Sequence, residues 1–138
     1  MTSTDVLVVS GGGRFSDPWH PFAETSEALR AILRGRGYAV QVSDNADAGL
    51  ATLRSGRLPS LLVLNIGWYG PDRFSESATE GLVAALQGGL PTLLVHSTLT
   101  AFPDWPLWHE IARGDGPMAL PTTRNTPSAW LWPIPTMR

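Results

Sequence analysis

The sequence predicts an α/β fold, a three-layer sandwich in which helices cover both faces of a parallel sheet. Four short apolar runs, rich in valine and leucine, alternate along the chain with stretches of helical periodicity. The later runs are apolar at nearly every position, as in strands that are buried on both faces. Alternation of this kind, with right-handed crossovers, leaves few strand orders, and we expect the order 2-1-3-4.

The first strand and the first helix have clear start and stop signals. The strand is predicted over Asp5–Ser10, where three of six residues are valine, and it stops at Gly11–Gly13. The helix is predicted over His20–Arg36, because apolar residues recur there at helical spacing and Pro21 suits a first helical position.

The second strand and helix are shorter. The strand is predicted over Tyr38–Ser43, where apolar and polar residues alternate. Asp44 or Asn45 can act as the N-cap of the helix that follows, and Gly56 ends it.

The third strand is predicted over Ser60–Asn65, which is almost continuously apolar. The sequence Ser77–Glu80 matches a capping box, with an apolar stretch after it, and therefore predicts a helix start at that point. Gly88 ends this helix.

The fourth strand is predicted over Leu90–Val95, and Asp104 can cap a last helix that ends at Gly114. The remaining residues differ in composition, since they hold five of the twelve prolines and two of the six tryptophans. We therefore expect an α/β domain over residues 1–114. We expect residues 115–138 to be an extension that packs on this domain or on a second copy, giving a homodimer. The predicted strand order is flavodoxin-like.

Composition excludes several classes of function. The 138 residues contain no cysteine, which rules out a disulfide framework, a zinc–thiolate site, an iron–sulfur cluster and a cysteine nucleophile. All ten basic residues are arginine, which excludes Schiff-base chemistry on lysine and a P-loop. A net charge of −2 gives no attraction to nucleic acid or an anionic membrane. No apolar run is long enough for a signal peptide or a span, so we expect a cytoplasmic protein.

The loops that follow the four strands meet at one edge of a parallel sheet, where α/β proteins bind ligands. Aromatic rings and neutral polar groups are concentrated there, a mixture that suits a sugar because apolar faces stack and hydroxyls need hydrogen bonds. The candidate catalytic residues are His96 and His20, and the candidate substrate-binding residues are Trp19, Asn65, Trp68, Ser97 and Trp105.

Other interpretations of these motifs are weaker. Gly11–Gly13 could hold a phosphate, but no dinucleotide fingerprint follows, and a flexible bend is the favoured interpretation. His20 either faces a ligand or caps its helix. The pair His109 and Glu110 resembles a zinc-protease helix, yet Arg113 stands where the second histidine belongs. We expect neither a metal nor a cofactor.

Several segments together resemble ThuA-like (trehalose utilization) proteins. The matching segments are Val6–Gly12, His20–Phe22, Asn65 at a strand end, Leu82–Gly89, Leu93–Ser97 and Phe102–Ile111. The resemblance spans roughly Asp5–Gly114. It implies a class I glutamine amidotransferase-like, flavodoxin-like fold that lacks the catalytic cysteine, with His96 near that cysteine's position. It also implies a role in the catabolism of trehalose, related disaccharides or keto sugars. This chain is shorter than the family and has Gly114–Asp115 where the family has two glycines.

The leading hypothesis is therefore a ThuA-like protein of sugar metabolism, either an enzyme that acts on a glycoside or keto sugar or a binding relic of such an enzyme. The alternative is a non-catalytic flavodoxin-like interaction module that dimerises through its tryptophan-containing tail. A third hypothesis, a hydrolase that uses Ser97 as nucleophile, lacks the flanking glycines of a nucleophile elbow.

Overall fold

A computed structural model describes residues 5–68 and 72–113 of the chain. Its four strands are β1 (Val6–Ser10), β2 (Val40–Ser43), β3 (Leu61–Asn65) and β4 (Thr92–Leu94). They form one all-parallel sheet in the order β2-β1-β3-β4. The predicted α/β class and the flavodoxin-like strand order are confirmed. The predictions for residues 114–138 lie outside the described residues.

Helices follow the strands as the sequence indicates. They are α1 (Phe22–Gly35), α2 (Ala46–Ala51), α3 (Glu76–Gln87) and α4 (Pro106–Arg113). Asn45 caps α2, since its side-chain oxygen accepts a hydrogen bond from the Ala48 N–H at 2.9 Å. Helix α4 begins two residues after Asp104, its predicted cap.

The predicted start of α3 at Ser77–Glu80 is wrong. The N-cap is Ser75, whose hydroxyl accepts a hydrogen bond from the Ala78 N–H at 3.3 Å. The Ser75 backbone N–H in turn donates to Asp47 at 2.7 Å. A contact with the first turn of α2 therefore fixes Ser75 outside the helix, and Ser77 becomes part of the first turn of α3.

The sheet separates two apolar cores. Leu7 and Val9 of β1 point into a large core, which also contains residues of α2, α3 and α4. Val6 and Val8 point to the opposite face and into a small core, against which α1 packs. Successive side chains of a strand face opposite sides, so one strand serves both cores and the molecule has three layers.

Aromatic rings fill the large core where α4 crosses it. The ring centroids of Phe74 and Phe102 are 4.9 Å apart, and those of Phe102 and Trp108 are 5.0 Å apart. Trp105 stacks on Trp108 at 6.3 Å and contacts Phe74 at 6.0 Å. These four side chains form an aromatic cluster that fixes α4 against the sheet.

The contact between α2 and α3 depends on Gly81. A β-carbon at this position would lie 2.3 Å from the Leu50 carbonyl oxygen. Backbone cannot yield as a side chain does, so we expect Gly81→Ala to destabilise the protein by about 1–2 kcal/mol. Urea unfolding measures this change. Gly35→Ala is the matched control, because nothing lies within 4 Å of its β-carbon position. An equal effect of the two substitutions would contradict the close approach.

Candidate functional site

The site begins where two loops meet at the carboxyl ends of β1 and β3. The Gly67 N–H donates to the Phe15 carbonyl at 2.8 Å, and the Gly11 N–H donates to the Asn65 carbonyl at 2.7 Å. Strand order reverses between these strands, which is the usual ligand position in an open α/β sheet. Here backbone hydrogen bonds join the two loops at that position, and the candidate site lies on its β4 side.

The glycines after β1 serve backbone packing. A β-carbon on Gly11 would lie 2.7 Å from the Phe15 carbonyl oxygen, and one on Gly12 would lie 2.8 Å from the Asp44 carbonyl oxygen. Gly13 has a φ of +52°, a conformation that favours glycine. Close approach and backbone conformation thus account for these three residues.

A histidine–aspartate pair lies in the same loop. Nδ1 of His20 is 2.8 Å from both carboxylate oxygens of Asp17. The Asp17 carboxylate also accepts the backbone N–H groups of Trp19 and His20, at 2.9 and 3.0 Å. The Asp17 side chain is 7% exposed, whereas that of His20 is 33% exposed. The loop therefore engages the Nδ1 edge of the imidazole and leaves the ring partly open to solvent.

His96 lies beside this pair. Its ring centroid is 5.0 Å from that of His20, with an angle of 67° between the ring planes. It opens the 3₁₀ turn His96–Thr100 that follows β4, and its φ is +46°. A non-glycine residue in this conformation carries backbone strain, which is often found at functional positions. The structure thus brings the two candidate catalytic histidines together.

Asn65 lies beneath the surface, at 3% exposure. Its side-chain amide donates to the Ser26 hydroxyl at 3.0 Å, and Ser26 donates to the Ser10 hydroxyl at 2.8 Å. These three side chains form a buried polar network that joins β1 and β3 to α1. Asn65 supports the loop that carries His20 and presents little surface to a ligand.

The other predicted binding residues differ in position. Trp19 is 71% exposed beside His20. Trp68 packs partly against the large core and donates its indole N–H to the Asp72 carbonyl at 3.1 Å. The Ser97 hydroxyl donates to the Ile66 carbonyl at 3.1 Å. Trp105 is only 9% exposed and belongs to the aromatic cluster, so it is not part of the candidate site.

The third histidine falls outside the site. His109 lies on α4, with Nε2 2.6 Å from the Pro103 carbonyl oxygen. In the part of the chain that the structure describes, no group of three or more His, Asp or Glu side chains is arranged to hold a metal ion. Among those same residues, no helix is both long and apolar enough to cross a membrane.

Asp17 was not predicted from the sequence. The available signal is its spacing, since an aspartate three residues before a histidine can fold back onto the ring within one loop.

The environment of the Asp17 carboxyl group also sets its pKa. Burial alone raises the pKa of Asp17. The hydrogen bonds from the His20 ring and from two backbone N–H groups, together with the positive charge on His20, outweigh it and lower the pKa below the ordinary 3.8.

This shift predicts a pH-dependent effect of Asp17→Asn. A carboxyl whose pKa is depressed on folding stabilises the protein above its unfolded pKa, and this contribution is lost as pH falls through the folded pKa. Asp17→Asn should therefore be less stable than the unsubstituted protein at neutral pH, and the difference should shrink below the ordinary value of 3.8. Urea unfolding at neutral and acidic pH measures it, with the exposed Asp44→Asn as control. A difference that is constant with pH would contradict the assignment.

No family model matches the chain. Comparisons with curated proteins and with solved structures likewise give no match.

Proposed function

We propose that this chain is a ThuA-like protein of carbohydrate utilization, which binds a small sugar and acts on it by acid–base chemistry at His20 and His96. The observation that carries the proposal is the contact between the two imidazole rings at the carboxyl edge of the sheet, 5.0 Å between centroids, with Asp17 held on one of them.

Asp17 gives His20 a defined chemical role. When the ring proton is on Nδ1, the Nδ1–H group donates a hydrogen bond to the Asp17 carboxylate. Nε2, on the opposite side of the ring, can then accept a proton. The carboxylate also stabilises the imidazolium that forms when Nε2 takes a proton. This is the arrangement of a general base.

His96 supplies the second proton-transfer group. Its side chain is exposed at the edge-to-face contact with His20, so a ligand can reach both rings. For a keto sugar, Nε2 of His20 would take the proton from the carbon beside the carbonyl. The protonated His96 ring would donate a proton to the carbonyl oxygen, and the product would be an enediol. For a disaccharide, the same two groups would bind hydroxyls.

Trp19 is the residue that supports a sugar in particular. Trp19 directly precedes His20 in the chain and its side chain is largely exposed, and apolar sugar faces stack on such rings. A hydrolase that uses Ser97 receives less support, because that hydroxyl donates to a backbone carbonyl. Amidotransferase chemistry is excluded by the absence of cysteine. The cytoplasmic location and the homodimer stay predictions.

Histidine substitution tests the proposal, because the chain offers a matched control. A thermal-shift panel of trehalose, other disaccharides and 3-keto disaccharides first identifies a ligand. We expect His20→Gln and His96→Gln each to abolish its shift, and to lower any turnover by about 100-fold or more. His109→Gln should change neither, since His109 lies outside the site.

Circular dichroism of each variant separates loss of binding from loss of fold. The proposal fails if no sugar in the panel shifts the melting temperature. It also fails if the three histidine variants bind alike. Absence of sugar binding, together with a dimer that is lost when residues 125–138 are deleted, would favour the interaction-module alternative.

A further inference from the structure

Strand β4 forms one of the two open edges of the described sheet. Hydrogen bonds to β3 flank this strand: the Pro91 carbonyl, just before β4, accepts from the Leu62 N–H, and the Val95 N–H, just after it, donates to the Leu64 carbonyl. Because backbone groups alternate in direction along a strand, the N–H and carbonyl groups of Thr92 and Leu94 point away from β3. Within residues 5–68 and 72–113, no strand pairs with that outer edge.

The same strand is uncovered on one face. Leu93 is in register with Val63 of β3, so both side chains project to the face of the small core. Val63 is 1% exposed, because α1 packs over β1, β2 and the near side of β3. Leu93, one strand further out, is 49% exposed. A buried face thus ends abruptly at an apolar edge strand, which is a pairing and aggregation hazard unless something covers it.

The topology indicates what reaches this edge. The connection from β3 to β4 runs through α3, on the face of the large core, and α4 packs on that same face. Right-handed crossovers on one face of a parallel sheet all step in the same direction. A strand that follows α4 is therefore delivered to the outer side of β4 and nowhere else in this sheet.

We propose that residues 114–138 of this chain dock on β4, pairing with its outer edge and covering Leu93. Twenty-five residues follow Arg113 in the sequence. Pairing with β4 needs only a few of them, at about 3.3 Å per residue. The apolar residues available to cover the face are Leu120, Trp130, Leu131, Trp132 and Ile134. Their neighbouring prolines are compatible with an edge strand, which pairs on one side only.

A spin label tests this docking in the full chain. The protein has no cysteine, so Ser128→Cys provides a unique attachment site for a nitroxide. We expect the label to broaden away the amide signals of Leu93 and Leu94 while leaving those of β2, on the opposite edge, unchanged. A sample that mixes labelled and isotopically enriched chains separates contact within a chain from contact between chains.

Two substitutions at equal exposure complete the test. Leu93→Asp should restore the broadened signals, because a charge on the covered face opposes docking. Leu99→Asp should not, since Leu99 is also 49% exposed but lies in the turn after β4. Absence of broadening in the labelled chain would overturn the proposal. Broadening seen only between chains would also overturn it, in favour of a second copy.

Discussion

Replacing Trp108 with alanine is expected to lower the free energy of unfolding by about 3–5 kcal/mol, the range for truncation of a fully buried aromatic ring. Trp108 has 0% exposure and lies at the centre of the aromatic cluster. Its indole N–H donates to the Thr98 carbonyl at 3.1 Å. The substitution therefore leaves a cavity between α4 and the sheet and removes the partner of a buried carbonyl.

Urea unfolding, followed by far-UV circular dichroism, measures this loss. Trp19→Ala is the matched control, because it removes the same side chain from a position that is 71% exposed. We expect it to cost less than Trp108→Ala, because most of the Trp19 side chain is already in contact with water in the folded protein. If Trp108→Ala cost no more than Trp19→Ala, α4 would not be packed as described.

The strands and their order could be predicted from the sequence because burial on two faces leaves a strong signal. This holds for β1 and β3, which are short runs of valine and leucine, whereas β2 shows an alternating pattern, and the crossover rule limits the topology. The predicted ends of two strands differ from the observed ones. The first strand was predicted from Asp5 and begins at Val6, while the fourth was predicted over Leu90–Val95 and covers only Thr92–Leu94.

The site was partly predictable because strand order decides which loops meet at one edge of the sheet. Topology alone places His20 and His96 at one edge of the sheet, and the structure brings their rings together. Topology does not show the direction of each side chain. Asp17 escaped prediction because its role depends on the fold of its loop. Trp105 was assigned to the ligand, although its ring turns inward to join the core.

The second large effect is expected at Thr98, which holds the turn that carries His96. Thr98 has 0% exposure, and its hydroxyl oxygen accepts the Ile66 N–H at 2.9 Å. The same hydroxyl lies 2.9 Å from the Leu64 carbonyl oxygen, to which it can donate. One side chain thus joins the turn after β4 to the end of β3, two residues from the strained backbone of His96.

Thr98→Val keeps the shape of the side chain and removes these hydrogen bonds. The Ile66 N–H is then buried without its partner, which costs about 2–3 kcal/mol. We also expect the His96 ring signals to shift in the NMR spectrum more than those of His109, because the turn loses its attachment to β3. Thr98→Ser, which retains the hydroxyl, should preserve the His96 signals.

Thr100→Val separates this role from a general effect of losing a hydroxyl. Thr100 lies in the same turn and donates to the Ser97 carbonyl at 3.2 Å, but its side chain is exposed. Water can therefore replace that hydrogen bond, and stability should change by less than about 0.5 kcal/mol. If Thr98→Val lowered stability while the His96 ring kept its signals, Thr98 would serve the core alone. The position of His96 would then depend on its contact with His20.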